Sequence, residues 1–158
     1  MNFVHFVVRK KMLPQLPIMA HLVLGYPTLP ESLRTAETYI AAGCAILELQ
    51  IPFSHPTADG PVITVACQEA VKQGVTVSDC LAAIRALRKK YPEQEIMVMS
   101  YLNRIYVYGM YRFFQDLGEM GVGHVIVPDL PVVGPTQSSP PKGAGSSSSS
   151  VISSPQGV

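Results

Sequence analysis

The sequence predicts an α/β fold with a parallel sheet: a β/α (TIM-type) barrel of which the first four or so strand–helix units are present. Two observations carry this. Four short apolar runs read as strands: IMAHLVL (18–24), AILELQI (45–51), IMVMSY (96–101) and HVIVP (124–128). Stretches of helical period lie between them, and near-continuous apolar strands joined through helices pair in parallel with right-handed crossovers. A doubly wound sheet satisfies the same pattern. No Gly-x-Gly-x-x-Gly follows any of the runs, which weakens its dinucleotide-binding form.

Each helix carries its own signals. PESLRTAETYIAAG puts Leu33, Ala36 and Ile40 on one face and ends at Gly43. PVITVACQEAVKQG ends the same way at Gly74. Thr76-Val77-Ser78-Asp79 is a capping box, in which the Thr76 hydroxyl and the Asp79 carboxylate each satisfy a free amide. The helix behind it turns Leu81, Ile84 and Leu87 inward and stops before Pro92. A further helix around Met110 to Met120 carries Phe113, Phe114 and Leu117, with Gly121 at its end.

The second strand decides between sheet and barrel. Side chains alternate along a strand, so Ile46, Glu48 and Gln50 share one face while Leu47, Leu49 and Ile51 share the other. The apolar set suits a helix layer, and the set holding Glu48 suits a barrel interior near its mouth. The loop from Pro52 then leaves the carboxyl end of the strand, where barrel enzymes place their chemistry. A glutamate sheltered there holds its proton to higher pH and can both give and take one. Two readings stay open: an acid–base group, or a structural glutamate paired with a basic group or with hydrogen bonds. Asp59 is likewise open, as a functional carboxylate or as the cap of a helix with Pro61 in its first turn.

Bulk composition narrows the classes. The 158 residues are 47% hydrophobic and 15% charged, with a net charge of +1, which fits a globular domain. Arg9-Lys10-Lys11 and Arg88-Lys89-Lys90 are too short for a nucleic-acid surface, and Arg88-Lys89-Lys90 suits a helix C-terminus. No run approaches a membrane span, and the apolar start MNFVHFVVRKK is not a signal sequence. Cys44, Cys67 and Cys80 have no metal-ligand spacing, and each is read on a helix as a free thiol of a reducing cytoplasm. His21, His55 and Asp59 have no recognisable metal spacing either, so no metal is expected. The expected organisation is a partial barrel over 1–133 and a Ser/Pro/Gly-rich, disordered tail without strand period over 134–158.

With these residues in place the chain resembles the tryptophan synthase α subunit family. LELQIPFSHPTADGP (47–61) resembles its Leu-Glu-Leu-Gly-x-Pro-Phe-Ser-Asp-Pro-x-Ala-Asp-Gly-Pro signature. LVLGYP (22–27), SYLNRIYVYG (100–109) and GVGHVIVPDLPV (121–132) resemble its first-, third- and fourth-strand motifs, in the family's order over roughly residues 12 to 133. The resemblance implies a lyase of tryptophan biosynthesis; the synthase as a whole is classed as a carbon–oxygen lyase. The implied reaction is retro-aldol cleavage of indole-3-glycerol phosphate to indole and glyceraldehyde 3-phosphate. No cofactor is implied in this subunit, and pyridoxal phosphate is implied in the β subunit that partners it in an αββα-type complex. Glu48 matches the family's acid–base glutamate and Asp59 the aspartate that holds the indole N–H. Tyr101 and Asn103 are implied at the pocket mouth, with Met99 and Ile126 as apolar walls. His55, Pro56, Asn103 and Asp129 are implied at the partner interface.

The chain also departs from the family pattern. His55 stands where an Asp is usual, and Gln50 where a Gly is usual. Nothing after Val133 resembles the family's phosphate-binding loops or lid, which come from the second half of its barrel. The expectation is therefore little or no activity in this truncated chain, and the alternative is a non-catalytic half-barrel remnant, a frameshifted or truncated product, that self-associates or docks on a β subunit.

Overall fold

The computed structural model describes residues 16–131 and 150–153. Four strands, β1 (Met19–Val23), β2 (Ile46–Gln50), β3 (Glu95–Met99) and β4 (His124–Val127), lie side by side in chain order, all parallel. They coincide with the four apolar runs to within two residues at each end. Between them run α1 (Leu29–Ala41), α2 (Pro61–Lys72), α3 (Val77–Lys90), α4 (Leu102–Tyr108) and α5 (Met110–Glu119).

One face of the sheet is the core. Leu47, Leu49 and Ile51 are 0% exposed and pack with Leu22, Leu24, Ile96, Val98, Val125 and Val127 from the other strands. The helix layer answers with Ala36, Leu81, Ile84, Leu87, Phe113 and Leu117, while Leu33, Ile40 and Phe114 pack at its margin. Each fully buried Leu or Ile contributes about 1.5–3 kcal/mol, so this face is what holds the sheet to its helices.

The register arranges the opposite face in rows, because directly paired residues of parallel strands point the same way. His21, Glu48, Met97 and His124 form one row. Val23, Gln50, Met99 and Ile126 form the next row toward the carboxyl ends.

Helix ends follow the sequence closely, with two exceptions. The capping box is present: Thr76 Oγ1 accepts from Asp79 N at 3.2 Å, and Asp79 Oδ2 accepts from Thr76 N at 2.9 Å. The Thr76 hydroxyl, which donates to Asp79 Oδ2 at 2.6 Å, and then the Thr76 N–H hold the Asp79 carboxyl below its ordinary range. Thr76→Ala is expected to destabilise the chain by ~1 kcal/mol, read as a lower urea midpoint at unchanged slope. Arg88, Lys89 and Lys90 do occupy the last turn of α3. The first exception is Asp59, which caps nothing: Gly60 is the N-cap of α2, without a side-chain bond, and Pro61 opens the helix. The second is Cys44, which lies in the turn between α1 and β2; Cys67 and Cys80 are on helices, and all three thiols are free.

Two elements lie beyond the expected set. α4 is a seven-residue helix separated from α5 by Gly109, whose φ of 102° is open chiefly to glycine. A fifth strand, β5 (Ser150–Ser153), pairs antiparallel with β4, with Val127 opposite Ser150 and His124 opposite Ser153. It comes from the segment expected to lack strand structure. The outer edge of β4 offers unpaired backbone groups, and a short stretch with Val-Ile at its centre satisfies them. The expected domain boundary at 133 and the Arg9-Lys10-Lys11 cluster lie outside the described residues. No described helix is long and apolar enough to cross a membrane.

Candidate active site

The site grows from the row structure of β2. Glu48 is half-buried on the face away from the helix core, directly beside His21 of β1. Burial raises the Glu48 pKa above its ordinary 4.5; His21 opposes the rise and the nearby charge of Asp59 adds to it. Among the described residues its carboxylate has no salt-bridge partner.

Asp59 arrives from the loop after β2 and is held by two donors. Gln50 Nε2 donates to its Oδ2 at 2.7 Å and Tyr101 OH donates to the same oxygen at 3.0 Å. These contacts explain why Asp59 does not cap α2: its side chain is drawn back over the end of β2. Tyr101 was expected at a pocket mouth and is instead 0% exposed. Its hydroxyl also accepts from Ala58 N at 3.0 Å, and its ring lies 5.2 Å from that of Phe53, so one side chain pins the loop at two points. Desolvation pushes the Tyr101 phenol well above its usual range, which keeps it a donor to Asp59.

Met99 and Ile126 share the row of Gln50, one step beyond Glu48, and are buried and half-buried. His55 and Asn103 are exposed, the former with Nδ1 2.8 Å from Ser54 Oγ. Pro56 is buried and offers little outward surface. Asp129 is exposed, and its Oδ1 accepts from Leu102 N at 2.8 Å, fixing the start of α4.

Sequence reasoning passed over two contributors. Gln50 is 0% exposed, and His21 Nε2 lies 2.8 Å from Gln50 Oε1. The signal was available in a polar residue on the same strand face as Glu48. The partner became visible only with the β1–β2 register.

A cavity of about 320 Å³ opens beside His21 and Val23, walled by Tyr26, Val62 and Ile63. A larger one of about 570 Å³ lies by Leu16, Ile18 and Cys44 at the amino ends of the strands, remote from both carboxylates. The first is lined by His21, but by neither Glu48 nor Asp59. Among the described residues no group of His, Cys, Asp and Glu could hold a metal ion.

Fold and site together define a β/α-barrel protein whose polar residues gather toward the carboxyl ends of the strands. The family model for the tryptophan synthase alpha chain matches residues 11–140. The tryptophan synthase alpha chain of Desulfotalea psychrophila is 42% identical over 114 residues, covering 72% of this chain and 44% of the relative. That of Pectobacterium atrosepticum is 44% identical over 112 residues, 71% of this chain and 42% of the relative. Among solved structures, a chain from Aquifex aeolicus VF5 superposes with a TM-score of 0.71 at 38% identity, over 73% of this chain and 46% of that one. A tryptophan synthase from M. tuberculosis, in an open form with BRD0059 bound, gives 0.67 at 36%, over 72% and 45%. The chain belongs to the tryptophan synthase alpha chain family. It spans less than half the length of these curated relatives.

Proposed function

We propose that this site is built for retro-aldol cleavage of indole-3-glycerol phosphate to indole and glyceraldehyde 3-phosphate. The observation that carries the reading is the pairing of Glu48, half-buried with a raised pKa, with Asp59, a carboxylate fixed by Gln50 and Tyr101. In the proposed sequence Glu48 protonates the indole ring at C3, and Asp59 holds the ring N–H as positive charge develops there. The side-chain hydroxyl gives up its proton, the bond between ring C3 and the glycerol carbon breaks, and the aldehyde leaves. One proton enters at C3 and one leaves the hydroxyl, so one carboxyl that both gives and takes a proton serves both transfers. No cofactor enters this scheme. Pyridoxal phosphate belongs to the proposed β-subunit partner, which the exposed His55 and Asn103 would face. The free thiols suit a reducing cytoplasm.

A second reading is favoured by length. Over the aligned region the chain spans 44% and 42% of two full-length relatives. Among the described residues there are four parallel strand–helix units, and the resemblance implies that the substrate phosphate is held by loops of the barrel's second half. We therefore infer that these 158 residues bind the indole end and turn the substrate over slowly or not at all, acting at most as a half-barrel that self-associates or docks on a β subunit. The test is indole release from indole-3-glycerol phosphate by the purified chain, with Glu48→Gln as control. The expected result is release at background for both. Clear turnover that Glu48→Gln abolishes would show that the four units suffice.

A further inference from the structure

Gln50 is a buried amide at the centre of a four-residue relay, and the identity of each donor in that relay follows from one fact. A carboxylate only accepts, so the 2.7 Å contact to Asp59 Oδ2 must come from the Gln50 NH₂ group. Gln50 Oε1 then faces His21 Nε2 at 2.8 Å and accepts, which places a ring proton of His21 on Nε2. The second amide hydrogen has Cys67 Sγ at 3.5 Å as a weak acceptor. Every polar atom of a side chain that is 0% exposed is thereby used, which is the condition for burying it at all.

At the far end, Asp59 Oδ2 takes both protein donors, Gln50 and Tyr101, while among the described residues Oδ1 accepts none. The carboxylate is clamped by one oxygen and open at the other.

We propose that Gln50 is a positioning residue: with its carbonyl engaged by His21, it holds Asp59 by Oδ2 and so aims the free Oδ1 at an N–H donor of the bound ligand. The clamp converts Asp59 from a mobile loop carboxylate into a directional acceptor, so it selects ligands that carry a ring N–H over shape-matched ligands that do not. The assignment of indole as that ligand rests on the function proposed above; the relay itself does not.

The test has two arms on the purified chain. In the first, a long-range ¹H–¹⁵N spectrum reports the tautomer of His21, assigned by comparison with His21→Phe. The expected result is the Nε2–H form in the native chain and a mixture in Gln50→Ala. In the second, affinity is measured for indole and for benzofuran, which keeps the shape and lacks the N–H. Gln50→Ala is expected to weaken indole about tenfold, the order of one hydrogen bond to a charged group, and to leave benzofuran unchanged. His21→Phe keeps a ring of similar size, loses the N–H and shifts the same ratio by less; it carries the test if Gln50→Ala does not fold.

A tautomer indifferent to Gln50, or equal weakening of both ligands, overturns the proposal. If the native chain binds neither compound, the indole reading falls, and the histidine spectrum still decides the relay.

Discussion

Gly25→Ala is expected to lower the stability of the chain by roughly 2–4 kcal/mol, measured as a loss in urea midpoint at unchanged slope. Two costs add. Gly25 has φ of 89°, in a region where a Cβ meets its own backbone. The space is also taken: a Cβ there would lie 2.8 Å from Val75 Cγ2 and 3.1 Å from Ala70 Cβ. Neither neighbour can retreat easily, because Ala70 is buried on α2 and Val75 packs against the main core. The Gly25 N–H is also bonded to Ser32 Oγ at 3.0 Å, tying the β1–α1 turn to the first turns of α1. This close approach holds α2 against the end of β1, and α2 brings Cys67 and the Asp59 loop to Gln50. A variant as stable as the native chain would mean that the turn is looser than the packing shows.

Glu48→Gln is expected to do the reverse and raise the melting temperature at pH 7. The folded chain holds the Glu48 proton more tightly than the unfolded chain, because burial disfavours the charge. Below the ordinary value of 4.5 both states are protonated and no penalty exists. As pH rises from there through the raised folded value, the unfolded state gains from ionisation that the folded state resists, and stability is lost. The penalty is complete above the folded value. Glutamine cannot ionise, so the advantage of the variant should vanish on acidification below 4.5 and reach a plateau at higher pH. A Gln variant that melts lower at pH 7, or a difference independent of pH, would show that the Glu48 carboxylate is satisfied by the fold and serves as a structural group.

How far the sequence alone could reach is clear from particular residues. Leu47, Leu49 and Ile51 alternate with Ile46, Glu48 and Gln50, and that period alone separated the helix-facing core from the polar face. Thr76 and Asp79 are three residues apart, so their mutual capping was legible too. What could not be read is what distance in the chain hides. Asp59 precedes a helix-opening Pro61 and reads locally as a cap, yet Gln50 and Tyr101, 9 and 42 residues away, supply better donors. Tyr101 resembled a mouth residue, but its ring fits beneath the 52–60 loop beside Phe53. α4 escaped because Ile105 is its one buried residue, too little to set a helical period. β5 escaped because SVIS has no recognisable partner until the edge of β4 is in place.

The account depends on a sheltered, proton-holding Glu48 that feels the charge of Asp59. Its most direct test is a pH titration of the Glu48 side-chain carboxyl carbon by NMR, in the native chain and in Asp59→Asn. The predicted result is a midpoint above 4.5 that falls when the Asp59 charge is removed. A midpoint at or below 4.5, unmoved by Asp59→Asn, would contradict it.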